Sequence, residues 1–371
     1  MKIAFIVHDY HRHGGHSRYV AELAIRFRKE HEVHVFANHW EEPDSDGISF
    51  HKIPAWTWKE VTKVLTFILP ATLMAPKGFD IIHSQGLCGL RHDIATVHFI
   101  QPIWLNELKK RGKITGISYL FWKWLVSPLE KYALGPKCSR RLIAISKGMI
   151  SDLRNEYGIE GNVDLIYHGV DLDRFNPSYN KIHRDKIRQS WGVTSTDFVA
   201  LFVGNLQKGA SAAIKALVRV PGARLVLVSG SDNFAEKKIA LELGVSDRII
   251  WSAKSREIEK YFAAADCFVF PTVYEPFGMV ISEAMASGLP VITSRTAGAA
   301  DLIQDGVSGW LMDEPWDVEA ISDKLQRLKD DSVLCFEMAR KARQAIECFT
   351  WDRCAEQTLK VYEQVNRNKN H

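Results

Sequence analysis

The stretch Cys267–Ile292 decides the fold, and it reads CFVFPTVYEPFGMVISEAMASGLPVI. Its first four residues are apolar and rich in aromatic side chains, which predicts a short buried strand. A loop with two prolines follows, and Gly278 then opens a segment with helical character. A second apolar run starts at Pro290. Strand, helix and strand in this order indicate a βαβ unit and therefore a parallel sheet.

Units of the same kind extend from this stretch in both directions. In the second half of the chain, runs typical of strands lie at Phe198–Val203, Arg224–Ser229, Arg248–Trp251, Cys267–Phe270 and Pro290–Thr293. Helical patterns separate them at Ser211–Val218, Phe234–Leu243 and Ile258–Ala265. In the first half, strands are predicted at Lys2–His8, Glu32–Ala37, Phe79–His83, Ile94–His98, Leu142–Ile145 and Val163–Tyr167. This alternation predicts two α/β halves.

The length agrees with this division, because 371 residues are typical of two domains. We expect domains over 1–172 and 196–348, a linker over 173–195 around Asn176-Pro177, and a last helix over 349–371. The composition, 46% hydrophobic and 25% charged, is that of a soluble globular protein and excludes a disordered chain.

The cysteines and histidines do not predict a metal site. The six cysteines form no CxxC pair and no Cys/His cluster, so we expect free thiols in a reducing cytoplasm. His11, His13 and His16 lie close together, but without an acidic partner they favour a polar loop near a phosphate. The start MKIAFIVHDY predicts a strand rather than a signal peptide.

The charge is unevenly distributed. Segment 52–147 has 15 Lys and Arg against 5 Asp and Glu, which gives +10, so the rest of the chain carries −6 of the total +4. A basic segment suits a membrane surface, a nucleic acid or a phosphorylated glycan. No nucleic-acid motif is present, so we expect no nucleic-acid partner.

Aromatic and apolar residues are interleaved with these charges. The run Val64–Pro76 is too short to span a bilayer, which needs about 20 residues. A second run, Ile117–Leu134, contains Trp122 and Trp124 beside lysines. The pattern suits docking on an anionic bilayer, and a core helix with a solvated charge run is the alternative.

Three loops follow predicted strands and could bind an anionic ligand. The first contains Gly14-Gly15, where glycines let the backbone approach a phosphate, although an ordinary turn explains it equally well. The second carries Lys208, a point charge suited to a diphosphate, although a lone lysine usually lies in a solvated turn.

The third loop predicts the most chemistry. Gly278 opens a helix whose first N–H groups can hold a phosphate. Glu283 lies on that helix, where its carboxylate can accept two hydrogen bonds from a ribose diol. Glu275 lies beside the turn and can bind sugar hydroxyls. A solvated Glu283 is the less favoured alternative.

The spacing of Glu275 and Glu283 resembles the EX7E motif of retaining GT-B glycosyltransferases, specifically of family 4. Other segments resemble family motifs in the same order: Gly14-Gly15 with Arg18, Asp80–His83, Thr96–His98, Ala144–Lys147, His168–Asp171 and Thr350-Trp351. The resemblance implies two Rossmann-like domains with parallel sheets facing across a cleft. It also implies an N-terminal acceptor domain, a C-terminal nucleotide-sugar domain and a last helix that returns to the N-terminal domain.

The resemblance also implies a role for each matching residue. His98 is expected beside the anomeric centre, Glu275 on the donor sugar and Lys208 on the departing diphosphate. The other donor-binding residues expected are Gly14, Gly15, Arg18, Asn205, Phe277, Gly278, Met279, Val280 and Glu283. No metal and no cofactor are expected, because fixed cations and amide dipoles can stabilise the leaving group.

The function implied is a retaining transfer of a hexose from a nucleotide diphosphate sugar, with uridine favoured, to a glycan or lipid-linked acceptor. We expect a peripheral protein on the cytoplasmic membrane face, similar to lipopolysaccharide core α-glucosyltransferases. Two alternatives stay open: a nucleotide-sugar epimerase, and a membrane-docked sugar-nucleotide binder without turnover. Asn205 supports the second, because the family commonly has arginine there, in a longer segment.

Overall fold

The computed structural model describes residues 1–12, 14–41, 46–56, 58, 60–74, 77–110, 112 and 114–369, without the side chains of 60, 61 and 117. The chain forms two compact units. Unit 1 consists of Met1–Gly169 together with Trp351–His371, and unit 2 consists of Val170–Thr350.

Unit 1 is built on a seven-stranded sheet with a small two-stranded ribbon. Its strands are β1 (Lys2–Ile6), β2 (Asp9–Tyr10), β3 (Glu32–Ala37), β4 (His39–Trp40), β5 (Ile48–Lys52), β6 (Ile81–Gln85), β7 (Ile94–Val97), β8 (Arg141–Ala144) and β9 (Val163–Leu165). The sheet order is β5-β3-β1-β6-β7-β8-β9, and β2 pairs with β4. All pairs are parallel, so the carboxyl ends of the seven strands share one edge.

Helices cover this sheet and connect its strands. They are α1 (Gly15–Phe27), α2 (Glu60–Met74), α3 (Gln101–Lys110), α4 (Gly116–Phe121), α5 (Ser127–Leu134) and α6 (Lys147–Asp152). Two π-helical turns, Trp122–Val126 and Leu153–Tyr157, continue α4 and α6. The last helix of the chain, Trp351–Lys369, also lies in unit 1, where Tyr362 hydrogen-bonds the buried His83.

Unit 2 repeats the architecture with six strands. They are β10 (Phe198–Val203), β11 (Ala223–Ser229), β12 (Ile249–Ala253), β13 (Cys267–Phe270), β14 (Val291–Ser294) and β15 (Trp310–Met312), in the order β12-β11-β10-β13-β14-β15. All pairs are again parallel. The helices are α7 (Asn180–Trp191), α8 (Ala210–Leu217), α9 (Phe234–Glu242), α10 (Ile258–Ala264), α11 (Met279–Ala286), α12 (Val318–Asp330) and α13 (Ser332–Ile346), and α14 is the last helix in unit 1.

The short 3₁₀ turns of unit 2 lie mostly where a strand end leads into a loop. They are Pro177–Tyr179, Leu206–Lys208, Ser246–Arg248 and Gly298–Leu302. The predicted fold class is confirmed, because both halves are α/β units with parallel sheets. Each strand predicted from the sequence starts and ends within about two residues of an observed strand, the usual precision of such boundaries.

The segment 173–195, which we expected to be a linker, is instead an integral part of unit 2. Its helix α7 carries Arg188, which is only 1% exposed. Arg188 and Arg184 both bind the carboxylate of Asp266, at 2.6 and 2.5 Å. Arg188 also donates to the carbonyl oxygen of Ala264. A buried and fully hydrogen-bonded guanidinium fixes this helix against the start of β13.

Candidate functional site

The carboxyl edge of the unit 2 sheet collects the predicted donor-binding residues of that unit. After β10 the chain turns through Leu206–Lys208, and Asn205 caps this turn by accepting from the amide of Gln207 at 3.1 Å. Asn205 therefore serves the local backbone, and the residue that presents charge here is Lys208.

Gly209 lets the turn that carries Lys208 pack closely against the loop after β13. Its φ is +110°, and a Cβ built on it would lie 2.1 Å from the carbonyl oxygen of Pro271. Only glycine tolerates this approach. The consequence is that Lys208 Nζ lies 2.5 Å from the carboxylate of Glu275, with both side chains partly exposed. The two charges predicted to act on one donor are thus adjacent.

The loop that carries Glu275 is held by backbone hydrogen bonds. The carbonyl of Glu275 accepts from the amide of Gly298 at 2.9 Å, and that of Phe277 accepts from Ala299 at 2.7 Å. Thr296 also donates to the carbonyl of Thr272 at 2.7 Å. These contacts leave the Glu275 side chain free to pair with a cation.

Helix α11 begins directly after this loop. Gly278 has a φ of +92°. No side chain accepts a hydrogen bond at the start of the helix, where the amides of Met279 and Val280 lie. Glu283 lies one turn further along and is 4% exposed. The alternative interpretation, a solvated Glu283, does not agree with this burial.

Other cations considered for a diphosphate have partners or lie elsewhere. Arg295 binds Asp313 and Asp305 at 2.5 and 2.6 Å. Lys254 lies at the carboxyl end of β12, beside Gly230. Arg18 belongs to unit 1, where its guanidinium lies over the ring of Trp351.

The carboxyl edge of the unit 1 sheet has a different character. His98 follows β7, and its ring lies 5.3 to 5.7 Å from the rings of Tyr19, His16 and His168. Its Nε2 lies 2.9 Å from Oε1 of Gln85, the last residue of β6. Burial and the three histidines around it hold the pKa of His98 well below its usual value, so the ring is neutral.

The glycine loop of unit 1 opens α1. Gly14 has a φ of +110°, and both Gly14 and Gly15 are exposed. A Cβ on Gly15 would meet nothing within 4 Å. Asp9, just before the loop, accepts from Lys63 of α2 and from Ser17 through its carbonyl. His13 lies outside the described residues.

The basic, aromatic segment predicted to dock on membranes exposes apolar side chains. Helix α2 packs against residues 121–133 through a shared cluster that includes Ile68 and Val126. On their outer surfaces Leu73 is 72% exposed and Trp124 is 71% exposed. Trp56, Trp58, Leu69, Leu120 and Leu125 are also exposed. The predicted basic residues Arg111 and Lys113 lie outside the described residues.

The described part of the chain offers neither a membrane-spanning helix nor a cluster of metal ligands. No helix there has the length and apolar character needed to cross a bilayer. No group of three or more His, Cys, Asp and Glu side chains there is arranged to hold a metal ion.

Gln85 is the site residue that the sequence analysis missed. The available signal was its position, because it stands two residues beyond the predicted strand Phe79–His83, at the edge where parallel sheets bind ligands. His83, at the end of that predicted strand, is a packed residue: it is fully buried and hydrogen-bonds Thr96 and Tyr362, at 2.7 and 2.6 Å.

Two protein-family models match the chain, one in each half. The model described as Glycosyltransferase Family 4 matches residues 13–174, and the model described as Glycosyl transferases group 1 matches residues 183–346. Over 98% of its length, the chain is 26% identical to an uncharacterized glycosyltransferase of Methanocaldococcus jannaschii, of which it covers 98%.

Solved structures share the fold. The structure of WaaG, a glycosyltransferase involved in lipopolysaccharide biosynthesis, matches with a TM-score of 0.81 at 20% identity, over 97% of this chain and 99% of that one. Anabaena HepE in complex with UDP-glucose matches with a TM-score of 0.75 at 20% identity, over 98% of this chain and 100% of that one. At such identities the likeness concerns the fold.

Proposed function

We propose that the chain, which matches a glycosyltransferase model in each half, is a GT-B glycosyltransferase of family 4, and that it transfers a hexose from a UDP-sugar to a glycan or lipid-linked acceptor with retention of configuration. The single observation that carries this proposal is the pairing of Lys208 with Glu275 beside the uncapped start of α11. A cation, a helix start without a side-chain cap and a carboxylate at the edge of a parallel sheet suit a sugar diphosphate.

Each part of the donor has a matching group in unit 2. Lys208 neutralises the diphosphate, and the amides of Phe277, Gly278 and Met279 hold the phosphate and sugar oxygens. The carboxylate of Glu275 accepts from sugar hydroxyls once the diphosphate has taken Lys208. Glu283 accepts from the ribose diol. Uridine is proposed as the base because the similar HepE structure contains UDP-glucose.

The chemistry follows from the charge of the leaving group. The bond between the anomeric carbon and the diphosphate oxygen breaks, an acceptor hydroxyl oxygen bonds to that carbon, and the hydroxyl proton passes to an oxygen of the departing diphosphate. The negative charge on the departing diphosphate is stabilised by Lys208 and by fixed amide dipoles, so these groups supply what a metal would supply elsewhere. His98 of unit 1, held neutral, is proposed to orient the donor sugar. Gly15 and Arg18 are proposed to contact its phosphates.

The proposed place of action is the cytoplasmic face of a membrane. The apolar side chains exposed on α2 and on residues 120–125 would enter the interface between headgroups and acyl chains. The excess of basic residues over 52–147 would attract anionic lipids. A lipid-linked acceptor, as in lipopolysaccharide core synthesis, fits this surface and the likeness to WaaG.

The first experiment is a calorimetric screen of the full chain with UDP, UDP-glucose, other nucleotide sugars and nucleotides. We expect a UDP-sugar to bind and to stabilise the fold. Glu283→Gln should lose that binding, whereas Glu242→Gln, an exposed residue of α9, should keep it. Failure of every nucleotide sugar to bind the wild-type protein would overturn the proposal.

The second experiment separates transfer from its alternatives. With a lipid-linked or glycan acceptor we expect UDP release and a product of unchanged anomeric configuration, measured by NMR. Conversion of the free donor without acceptor would instead indicate an epimerase. Binding without turnover across many acceptors would indicate a non-catalytic protein.

A further inference from the structure

Gln85 is placed by the strand ladder next to the loop that carries His98. It is the last residue of β6, and its partner across the ladder is Thr96 of β7, two residues before His98. The side chain is 5% exposed. Its backbone is fixed as well, because Cys88 Sγ donates to the Gln85 carbonyl at 2.9 Å and the amide of Gly86 donates to Thr96 at 2.8 Å.

The hydrogen bond between these residues determines the tautomer of His98. Oε1 of Gln85 can only accept, and it lies 2.9 Å from Nε2 of His98. Nε2 must therefore carry the proton, and Nδ1 is left as the acceptor of the neutral ring. Which nitrogen of a histidine accepts is set in this way by the partner of the other nitrogen.

The other end of the Gln85 carboxamide is a second, independent observation. Its Nε2 is buried and has no acceptor among the residues that the structure describes. A buried donor without a partner is costly, and an apolar side chain of similar size would avoid the cost. A glutamine that served only for packing would have no reason to leave its buried donor unpaired in this way.

We propose that Gln85 positions His98 for transfer by holding it in the Nε2–H tautomer, and that its amide nitrogen donates to a hydroxyl of the same substrate. Nδ1 of His98 is a neutral acceptor and Nε2 of Gln85 is a neutral donor, and these two groups complement hydroxyl groups, which both donate and accept. The pair selects an uncharged sugar oxygen rather than a phosphate. This inference rests on the role proposed above for His98.

The groups around His98 do not compete for this assignment. The titratable side chains that face it are His16 and Tyr19 of α1, His83 of β6 and His168, and the charge of Arg18 acts on His168. Among the described residues around His98 none is a carboxylate, so nothing there favours the doubly protonated ring. Gln85 is the only recorded hydrogen-bond partner of Nε2 in the described chain.

Three variants of the full chain test the proposal. Gln85→Leu removes both amide functions, Gln85→Glu keeps the acceptor and removes the donor, and Gln85→Asn keeps both at shorter reach. For Gln85→Leu we expect kcat to fall on the order of tenfold or more, with the calorimetric Kd for UDP, which lacks the transferred sugar, unchanged. Gln85→Asn should recover part of that loss. Thermal melting shows which variants are folded.

The pH profile of Gln85→Glu gives a readout that a structural role would not change. The new carboxylate would raise the pKa of His98 towards neutrality, because it favours the protonated ring. Protonation removes the acceptor on Nδ1, so kcat should fall as the pH drops below that raised pKa. The wild-type protein should lack this acidic limb.

The tautomer can be read directly from the ¹⁵N shifts of labelled histidine in the wild-type protein, with His98→Asn to assign the signal. We expect the Nε2–H form. An Nδ1–H form, or an unchanged kcat for a folded Gln85→Leu, would overturn the inference. The tautomer measurement needs no substrate, so it remains informative even if no UDP-sugar binds and the proposed function fails.

Discussion

The two sheet edges of this protein handle ionisable side chains in opposite ways. At the carboxyl edge of unit 2, Lys208 and Glu275 form an ion pair. At that of unit 1, burial lowers the pKa of His168 to about 3 and holds that of His98 well below its usual value, so both rings are neutral. This contrast fits the proposed roles of Lys208 on a diphosphate and of His98 on a sugar hydroxyl.

The two edges are also fixed by different forces. In unit 2 the decisive constraint is backbone contact, because Gly209 touches Pro271 too closely for any other residue. In unit 1 the constraints are side-chain hydrogen bonds and ring contacts, as between Gln85 and His98. Backbone constraints depend little on pH, whereas a neutral imidazole cluster depends on it strongly.

Acidification should have the largest effect, and it should act on unit 1 first. His8, His83 and His168 have pKa values of about 3 in the folded protein against 6.5 normally. Stability from their neutral state is present above pH 6.5 and is lost as the pH falls below it. Each of these histidines then lowers the free energy of unfolding by about 1.4 kcal/mol for every pH unit below 6.5.

Two carboxyl groups of unit 1 work in the opposite direction. Burial raises the pKa of Glu130 to about 7 and that of Asp152 to about 6, so their contributions to stability grow as the pH falls through those values. Two carboxyl groups do not offset the larger number of buried histidines. The test equilibrates protein samples at pH values from about 7.5 to about 4.5 and then pulses each with deuterium at one fixed pH. As the equilibration pH falls, peptides of unit 1 should lose protection from exchange before those of unit 2. Earlier loss in unit 2 would contradict the contrast.

Removing the charge of Lys208 should have the next largest effect. Lys208→Gln loses the cation that stabilises the departing diphosphate, so kcat should fall about 10²- to 10³-fold. Lys215→Gln, which changes the same charge on an exposed position of α8, is the matched control and should keep full turnover. Initial rates of UDP release measure both. Equal rates for the two variants would remove the charged edge from the mechanism.

Neutralising Glu275 should have a smaller effect, opposite in sign for two ligands. When UDP binds without a sugar, its diphosphate takes Lys208 and leaves Glu275 beside it as an unpaired anion. Glu275→Gln removes this repulsion, so UDP should bind a few-fold to about tenfold more tightly. A UDP-sugar should bind more weakly, because the carboxylate no longer accepts from its hydroxyls. Calorimetry measures the affinities of both ligands, with Glu242→Gln as the control. If both affinities changed in the same direction, the role given to Glu275 would be incorrect.

The sequence predicted the strands and the positions of the charged residues in the unit 2 loops better than it predicted contacts between distant residues. Runs of apolar residues locate strands because burial on both faces of a parallel sheet requires them, and β10 and β13 were predicted at their observed bounds. Glu275 and Lys208 were candidates because each lies in a loop that follows such a strand. Their expected roles came from the resemblance to family 4, because a lone lysine in such a loop usually belongs to a solvated turn.

Contacts over long sequence separation could not be predicted. Arg188 lies in a polar segment that resembles a linker, and its burial depends on Asp266, 78 residues further along. Gln85 is an ordinary polar residue until β6 and β7 pair and bring it to His98. No local signal encodes such partners, because they are created by packing.

The last helix has a consequence for how the protein is made. Residues Trp351–Lys369 complete unit 1, and Tyr362 reaches back 279 positions to His83. During translation, all of unit 2 therefore leaves the ribosome before the first-made strands receive the segment that covers them. The nascent protein holds its earliest domain unfinished until α14 has been made, and in that interval the exposed surface of α1 and β6 that α14 will cover is where a chaperone would be needed.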